Sequence, residues 1–321
     1  MAPRSMRRPA RLLPLLLLLS TASWGCGVFS SPSPTPTPTV TPTATPTRTP
    51  TPSPTPTPQP RVETATIELV QGGSAVLRVS GGGASATASF NGRDYPMLTY
   101  TAGFWTVLGV GAGASTGSYP VDIAVRDGAG AAVAQLSATV VVYDAGYPVE
   151  YITLPPDASA LLDPNLSAQE AATRAQVFAA STRDRLWAGA FIFPVGGPIS
   201  SGYGIARSYN GGPVSGFHHG TDFPVDEGTP IAAANSGLIA FAAALPVRGT
   251  SVIIDHGGGV FSGYHHLSSA TVQVGQLVAK GDLIGYSGAT GLATGPHLHW
   301  EVIVNAVEVD PVFWTYEEIG P

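Results

Sequence analysis

Between residues 64 and 143 apolar and polar positions alternate in short runs separated by glycine. Residues 66–70, 75–79, 119–125 and 138–142 each read as a half-buried strand, and Gly81-Gly82-Gly83, Asn91-Gly92 and Asp127-Gly128 read as the turns between them. Strands at this spacing over about 80 residues predict a small antiparallel β-sandwich. The period then changes. Ser167 followed by Glu170 has the form of a capping box, and Ala171, Ala175, Val177 and Phe178 fall on one face of a predicted helix that ends near Leu186-Trp187. From Phe191 to Trp314 short strands and glycine-rich loops return.

The first 60 residues follow neither period. Arg4, Arg7, Arg8 and Arg11 precede an apolar run over residues 12–19, broken only by Pro14, and small residues follow it. Such a run is shorter than the roughly 20 residues a spanning helix needs and has the layout of an export signal. Cys26, the only cysteine, comes directly after it, as the lipidated residue of a bacterial lipoprotein would, so membrane attachment through Cys26 is expected. No disulfide can form within one chain. From about Ser30 to Pro60 a Thr/Ser-Pro repeat has almost nothing to bury. In extended polyproline form, at about 3.1 Å per residue, it reads as a stalk.

Charge narrows the function. Only 11% of residues are charged and the formal net charge is -6; removing residues 1–25 takes away four arginines and no acids, giving -6 - 4 = -10. No basic stripe is interleaved with aromatics, so no nucleic-acid partner is expected.

The candidate chemistry lies in the histidines. All seven fall between His218 and His299, in three groups: His218-His219-Gly220-Thr221-Asp222, Tyr264-His265-His266-Leu267 and His297-Leu298-His299, with His256 between the first two. Imidazole and carboxylate together suit Zn²⁺, and three protein ligands leave a position open for water. His297 and His299 precede the strand-like Trp300-Glu301-Val302-Ile303-Val304, so a period of two sets both rings on one face. Spacing alone does not say which of the two holds metal. Glu301, two residues further on, could orient a ligand imidazole. His219 and His265 read as non-ligands, the first on a cleft wall and the second pointing to the opposite face from His266. His256 reads as a turn residue, and Trp300, Phe313 and Trp314 as core.

His218-x-Gly220-x-Asp222, Tyr264-x-His266-Leu267 and Gly295-Pro296-His297-Leu298-His299, in this order, resemble the three motifs of the M23 (lysostaphin and LytM-like) zinc metallopeptidases, which cut peptidoglycan. The resemblance runs from about Phe193 to Trp314 and includes Gly204, Gly228-Thr229-Pro230 and Lys280-Gly281-Asp282. It implies that His218, Asp222 and His299 bind Zn²⁺ and that His266 and His297 are catalytic non-ligands. It also implies a tyrosine upstream of the first ligand, for which Tyr209 is the candidate and Tyr203 the competitor. The expected chain is mainly all-β: signal peptide 1–25, Thr/Pro-rich stalk 26–62, Ig-like β-sandwich 63–145, connector with a helix 146–190, and an antiparallel-β M23 peptidase domain 191–316. The expected function is zinc-dependent hydrolysis of peptidoglycan peptides by a metal-activated water, in an exported, envelope-located protein. The alternative is a non-catalytic envelope protein that binds peptidoglycan or activates a hydrolase.

Overall fold

The computed structural model describes Ser33 and residues 58–321. The expected signal peptide, Cys26 and nearly all of the stalk lie outside the described residues. Among the described residues no helix is long and apolar enough to cross a membrane.

The N-terminal strands form two sheets. One has the order Arg61–Val62, Ser74–Ser80, Gly103–Gly109, Leu98–Tyr100; the other has the order Thr66–Val70, Ala132–Tyr143, Gly117–Arg126, Ser85–Phe90, Arg93–Pro96. Leu77, Val79, Phe104 and Leu108 from the first sheet share a core with Ala88, Val121, Ile123, Val125 and Val140 from the second. The alternation in Gly117–Arg126, with Val121, Ile123 and Val125 buried between exposed or half-buried neighbours, is the pattern that predicted the strand. The sheets are not wholly antiparallel: Thr66–Val70 pairs parallel with Ala132–Tyr143. Asn91 and Gly92 both have positive φ, +48° and +72°, in the hairpin joining Ser85–Phe90 to Arg93–Pro96. That is the conformation a two-residue hairpin turn requires.

Gly103–Gly109 has no alternation because it is buried on both faces. Phe104 and Leu108 enter the sandwich core, whereas Trp105 and Val107 enter the second core, where Trp105 meets Trp187 and Trp187 meets Trp314 at ring-centroid distances of 6.0 and 6.3 Å. The two cores thus share a strand, and the described residues 58–321 belong to one compact unit.

The second core is built on an antiparallel sheet in the order Thr221–Phe223, Leu298–Val304, Val260–Leu267, Gly249–Gly257, Gly237–Leu245, Leu277–Val278, with Val307–Val309 also pairing to Leu298–Val304. Leu298–Val304 and Val260–Leu267 are buried at every position, as central strands of a covered sheet are. A smaller sheet joins Val149–Ile152, Ala206–Tyr209 and Val214–Phe217; its first pair is parallel.

The connector helix differs from its expected form. It spans Pro164–Ala179, capped by Asp163, whose side chain accepts from the Asn165 N–H at 2.9 Å, and Pro164 occupies the first turn. Ser167 lies inside the helix and Leu186-Trp187 beyond it. Proline at the first helical position with an aspartate cap is the stronger start signal, because proline has no N–H to leave unsatisfied. Nor is the buried face apolar: Ala171 and Ala175 are exposed, while Glu170 and Arg174 are buried. They are buried because each has partners. Glu170 accepts from the Arg248 guanidinium at 2.6 Å and from the backbone N–H groups of Val247 and Arg248 at 2.7 and 3.0 Å.

Burial alone would raise the Glu170 carboxyl, but Arg248 and the two backbone donors hold it below its usual 4.5. Its contribution to stability is therefore present above pH 4.5 and lost as the pH falls through the lower folded value. Glu170→Gln is expected to cost about 3–5 kcal/mol at pH 7, because it leaves a cation under-compensated. The gap to wild type should shrink as the pH is lowered from 5 toward 3. Thermal midpoints of both proteins across that range are the check; a gap that stays constant would contradict the pairing.

Candidate metal centre

Three elements bring the site together. His218 directly follows the strand Val214–Phe217, and Asp222 is the middle residue of Thr221–Phe223. Asp222 is the antiparallel partner of His299 on Leu298–Val304, and His299 is in turn the partner of His265 on Val260–Leu267. Sheet register thus sets Asp222, His299 and His265 in a row. Gly220 permits the close approach: a Cβ there would lie 2.3 Å from the Trp300 carbonyl and 2.9 Å from the His299 ring.

His218 Nε2, His299 Nδ1 and Asp222 Oδ1 form a triangle with sides of 2.9, 2.8 and 3.0 Å. The other nitrogen of each ring is engaged elsewhere: His218 Nδ1 donates to the Gly202 carbonyl at 2.7 Å, and His299 Nε2 to Glu301 Oε1 at 3.0 Å. In the neutral rings the atoms that converge are two lone pairs and a carboxylate oxygen. Three acceptors face one another with no proton of their own to share. A divalent cation satisfies all three at once, and two imidazole nitrogens with one carboxylate oxygen are a donor set for Zn²⁺. The electrostatics follow from the same crowding. Burial would raise Asp222, but the His218 and His299 rings packed against it hold it well below the carboxylate range. Burial lowers His218, whereas His299, which burial would also lower, is raised by Asp222 and Glu301.

His266 and His297 stand beside this triangle, their ring centroids 4.7 Å apart. His266 Nδ1 donates to the Thr290 carbonyl at 2.7 Å and His297 Nδ1 to the Gly295 carbonyl at 2.8 Å, which leaves Nε2 of each as a free acceptor. His297 Nε2 lies 4.0 Å from Asp222 Oδ1, and the His266 ring 5.9 Å from that of His299. Burial, then the neighbouring His297 and His299, push His266 well below its usual range, so it is neutral. Its φ of +59° is unusual for a residue other than glycine, and strain of this kind concentrates at functional sites.

Sheet register corrects the expectation for His265. Pairing with His299 puts His265 on the site's face, and the left-handed step at His266 breaks the alternation that would turn His266 away from it. Both rings approach His299, His265 at 5.7 Å between centroids. His265 is fully buried, with Nδ1 2.8 Å from Ser251 Oγ. His256 is likewise no turn residue. It is a core histidine on Gly249–Gly257, donating to the Ser236 carbonyl at 2.7 Å and contacting Ser262 Oγ at 2.8 Å.

The site opens into a cleft of about 620 Å³ that Tyr209 and His219 also line. Burial raises the Tyr209 phenol, partly opposed by Arg207, so it is a donor at neutral pH. Tyr203 is not in the cleft: its hydroxyl accepts from the Ala112 N–H at 2.9 Å and donates to the Glu308 carbonyl at 2.7 Å. Phe313 is partly exposed, while Trp300 and Trp314 are core.

The profile of peptidase family M23 matches residues 216–311, a span that includes every member of the triangle and both flanking histidines. Residues 216–311 are thus an M23 peptidase domain. Peptidoglycan DD-endopeptidase ShyA of Vibrio cholerae is 43% identical over 93 residues, which are 29% of this chain and 22% of that protein. Lysostaphin of Staphylococcus staphylolyticus is 41% identical over 107 residues, 33% of this chain and 22% of that protein. The chain thus spans about a fifth of the length of these curated relatives. An M23 peptidase structure from Pseudomonas aeruginosa superposes with a TM-score of 0.56 at 29% identity, over 77% of this chain and 94% of that one.

Several residues that shape the centre were not apparent in the sequence. Arg174 and Arg248 hold Glu301, and Arg207 approaches Asp222 Oδ2 at 3.5 Å while pairing with Glu150 at 3.1 Å. Glu150, Arg174 and Arg207 lie outside residues 216–311.

Proposed function

We propose that this protein is a zinc-dependent endopeptidase that hydrolyses peptide bonds in peptidoglycan cross-links or stem peptides. One observation carries the reading: His218 Nε2, Asp222 Oδ1 and His299 Nδ1 converge at the floor of a cleft, with two further imidazole acceptors beside them. His218, Asp222 and His299 would hold the ion. Bound there, Zn²⁺ would polarise a peptide carbonyl and lower the pKa of a water. His266 and His297 then act as the proton-transfer pair: Nε2 of one takes a proton on the cleft side and returns it to the leaving amine, with Nδ1–H fixed on a backbone carbonyl. Tyr209, protonated at the cleft wall, donates to the oxygen on which charge develops.

Wall peptide as the substrate is supported by the relatives whose names make them peptidoglycan endopeptidases. An export signal, a lipidated Cys26 and a Thr/Pro stalk would place the enzyme at the cell envelope, anchored to the membrane. Because all five positions expected to bind metal or move a proton are filled and brought together, the enzyme reading is favoured over a non-catalytic binding or activating role.

The test is to incubate the purified chain lacking residues 1–25 with defined peptidoglycan fragments, with and without chelator, and to read the products by mass spectrometry. Cleavage that the chelator stops and zinc restores is expected, and the fragments name the bond. Intact fragments with one zinc bound per chain would turn the assignment toward the non-catalytic role.

A further inference from the structure

We infer that Arg174, on the connector helix, is a positioning residue of the metal centre that acts through Glu301 to keep His299 Nδ1 presented to the ion. The inference rests on the metal reading of the site and adds to it a helix that the family match does not include.

Glu301 is fully buried, two residues after His299 on Leu298–Val304. Its two oxygens have different duties. Oε1 accepts from His299 Nε2 at 3.0 Å and from Arg248 Nε and Nη2 at 2.8 and 2.6 Å. Oε2 accepts from Arg174 Nη2 at 2.6 Å. His265 Nε2 stands 3.4 Å from Oε2, so among the described residues Arg174, at 2.6 Å, is the close donor to that oxygen.

The last torsion of a glutamate is broad and does not fix the carboxylate plane by itself. A donor on each oxygen does. With Arg174 on Oε2 and Arg248 on Oε1, the plane is set so that Oε1 meets the His299 Nε2–H. That contact decides which ring nitrogen carries the proton, and so leaves Nδ1 with the lone pair that meets His218 and Asp222. Partners of this kind behind a metal-bound histidine are worth about 10–100-fold in affinity.

Arg174 is also cleanly separated from the chemistry. It is buried, and it does not line the cleft, whereas Arg248 does. Its remaining contacts are structural: Nη1 pairs with Glu308 at 3.1 Å, and the guanidinium lies 5.2 Å from the Phe178 ring centroid. A purely structural role for a buried arginine is the competing explanation, and the experiment has to separate the two.

The mature full chain is compared with Arg174→Met, Arg174→Lys and Glu308→Gln. Three quantities are read: zinc affinity by chelator competition, the ¹⁵N shifts of the His299 ring in metal-free protein, and the thermal midpoint. Arg174→Met is expected to bind zinc about 10–100-fold more weakly and to populate both His299 tautomers. Arg174→Lys, which keeps a cationic donor near Oε2, should recover most of the affinity and the single tautomer. Glu308→Gln, which loosens the contacts to Arg174 and to His219 at 3.5 Å but leaves Glu301 untouched, should lower the thermal midpoint and leave zinc affinity unchanged. If Arg174→Met does not fold, Arg174→Gln is read in its place. A lowered thermal midpoint with unchanged zinc affinity and an unchanged tautomer would overturn the inference. A wild-type chain that binds no zinc would instead overturn the metal site on which it rests.

Discussion

Replacing His299 with alanine is expected to abolish zinc binding and to lower kcat/KM for peptide cleavage by about 10³-fold or more. The estimate follows from the several kcal/mol of transition-state stabilisation a Lewis-acid metal supplies, at 1.36 kcal/mol per tenfold in rate. His299 occupies the centre of the constellation. Its Nδ1 is 2.9 Å from His218 Nε2 and 2.8 Å from Asp222 Oδ1, and it is the one ring that joins the ligand triangle to the buried Glu301. Without it only two donors remain, four residues apart on one segment, and neither His265 nor His297 replaces it: His265 Nδ1 is engaged with Ser251, and His297 Nε2 stands 4.0 Å from Asp222. Because a ligand that binds only the folded state raises its stability, zinc should raise the thermal midpoint of wild type and leave that of His299→Ala unchanged. Equilibrium dialysis, thermal denaturation and the cleavage assay on the same preparations check all three statements. Full activity in a zinc-free variant would remove the metal from the reaction.

What could be read in the sequence was what repeats or what is chemically rare. Alternation found the strands with one covered face, such as Gly117–Arg126, but gave no signal for Gly103–Gly109, whose two faces enter two different cores. Seven histidines confined to 82 positions marked the metal centre, even though His256 among them is a core residue. The identities of the ligands followed from the family resemblance, since a strand period of two treats His297 and His299 alike. The supporting shell was hidden for a physical reason. Glu170 and Arg174 sit where a helix wheel expects solvent, and only the tertiary pairing with Arg248 and Glu301 makes their burial affordable. One clue was present: in a chain with 11% charged residues, an acid and a base four apart on a predicted helix are unusual enough to ask what they face. That His265 and His266 both face the site was legible in no pattern, because it depends on the register of His265 with His299 and on the positive φ at His266.

His266→Ala and His297→Ala are each expected to cut kcat by about 10²–10⁴-fold while one zinc per chain is retained, since neither ring belongs to the ligand triangle. The two rings are not equivalent. His266 is held neutral by burial and by His297 and His299, with Nδ1–H fixed on Thr290, so its Nε2 can accept a proton throughout the neutral range. His297 is more exposed than His266, with Nδ1–H on Gly295. Rings 4.7 Å apart that handle one proton in succession act as a unit, and residues that act as a unit are strongly non-additive. The double variant should therefore be about as slow as the slower single variant. If the two losses multiply instead, the histidines contribute independently, as residues without coupling do. If both single variants stay fully active with zinc bound, proton transfer by this pair is excluded. If wild type and both variants are alike in cutting nothing yet keep their effect on the wall, the centre serves binding rather than hydrolysis.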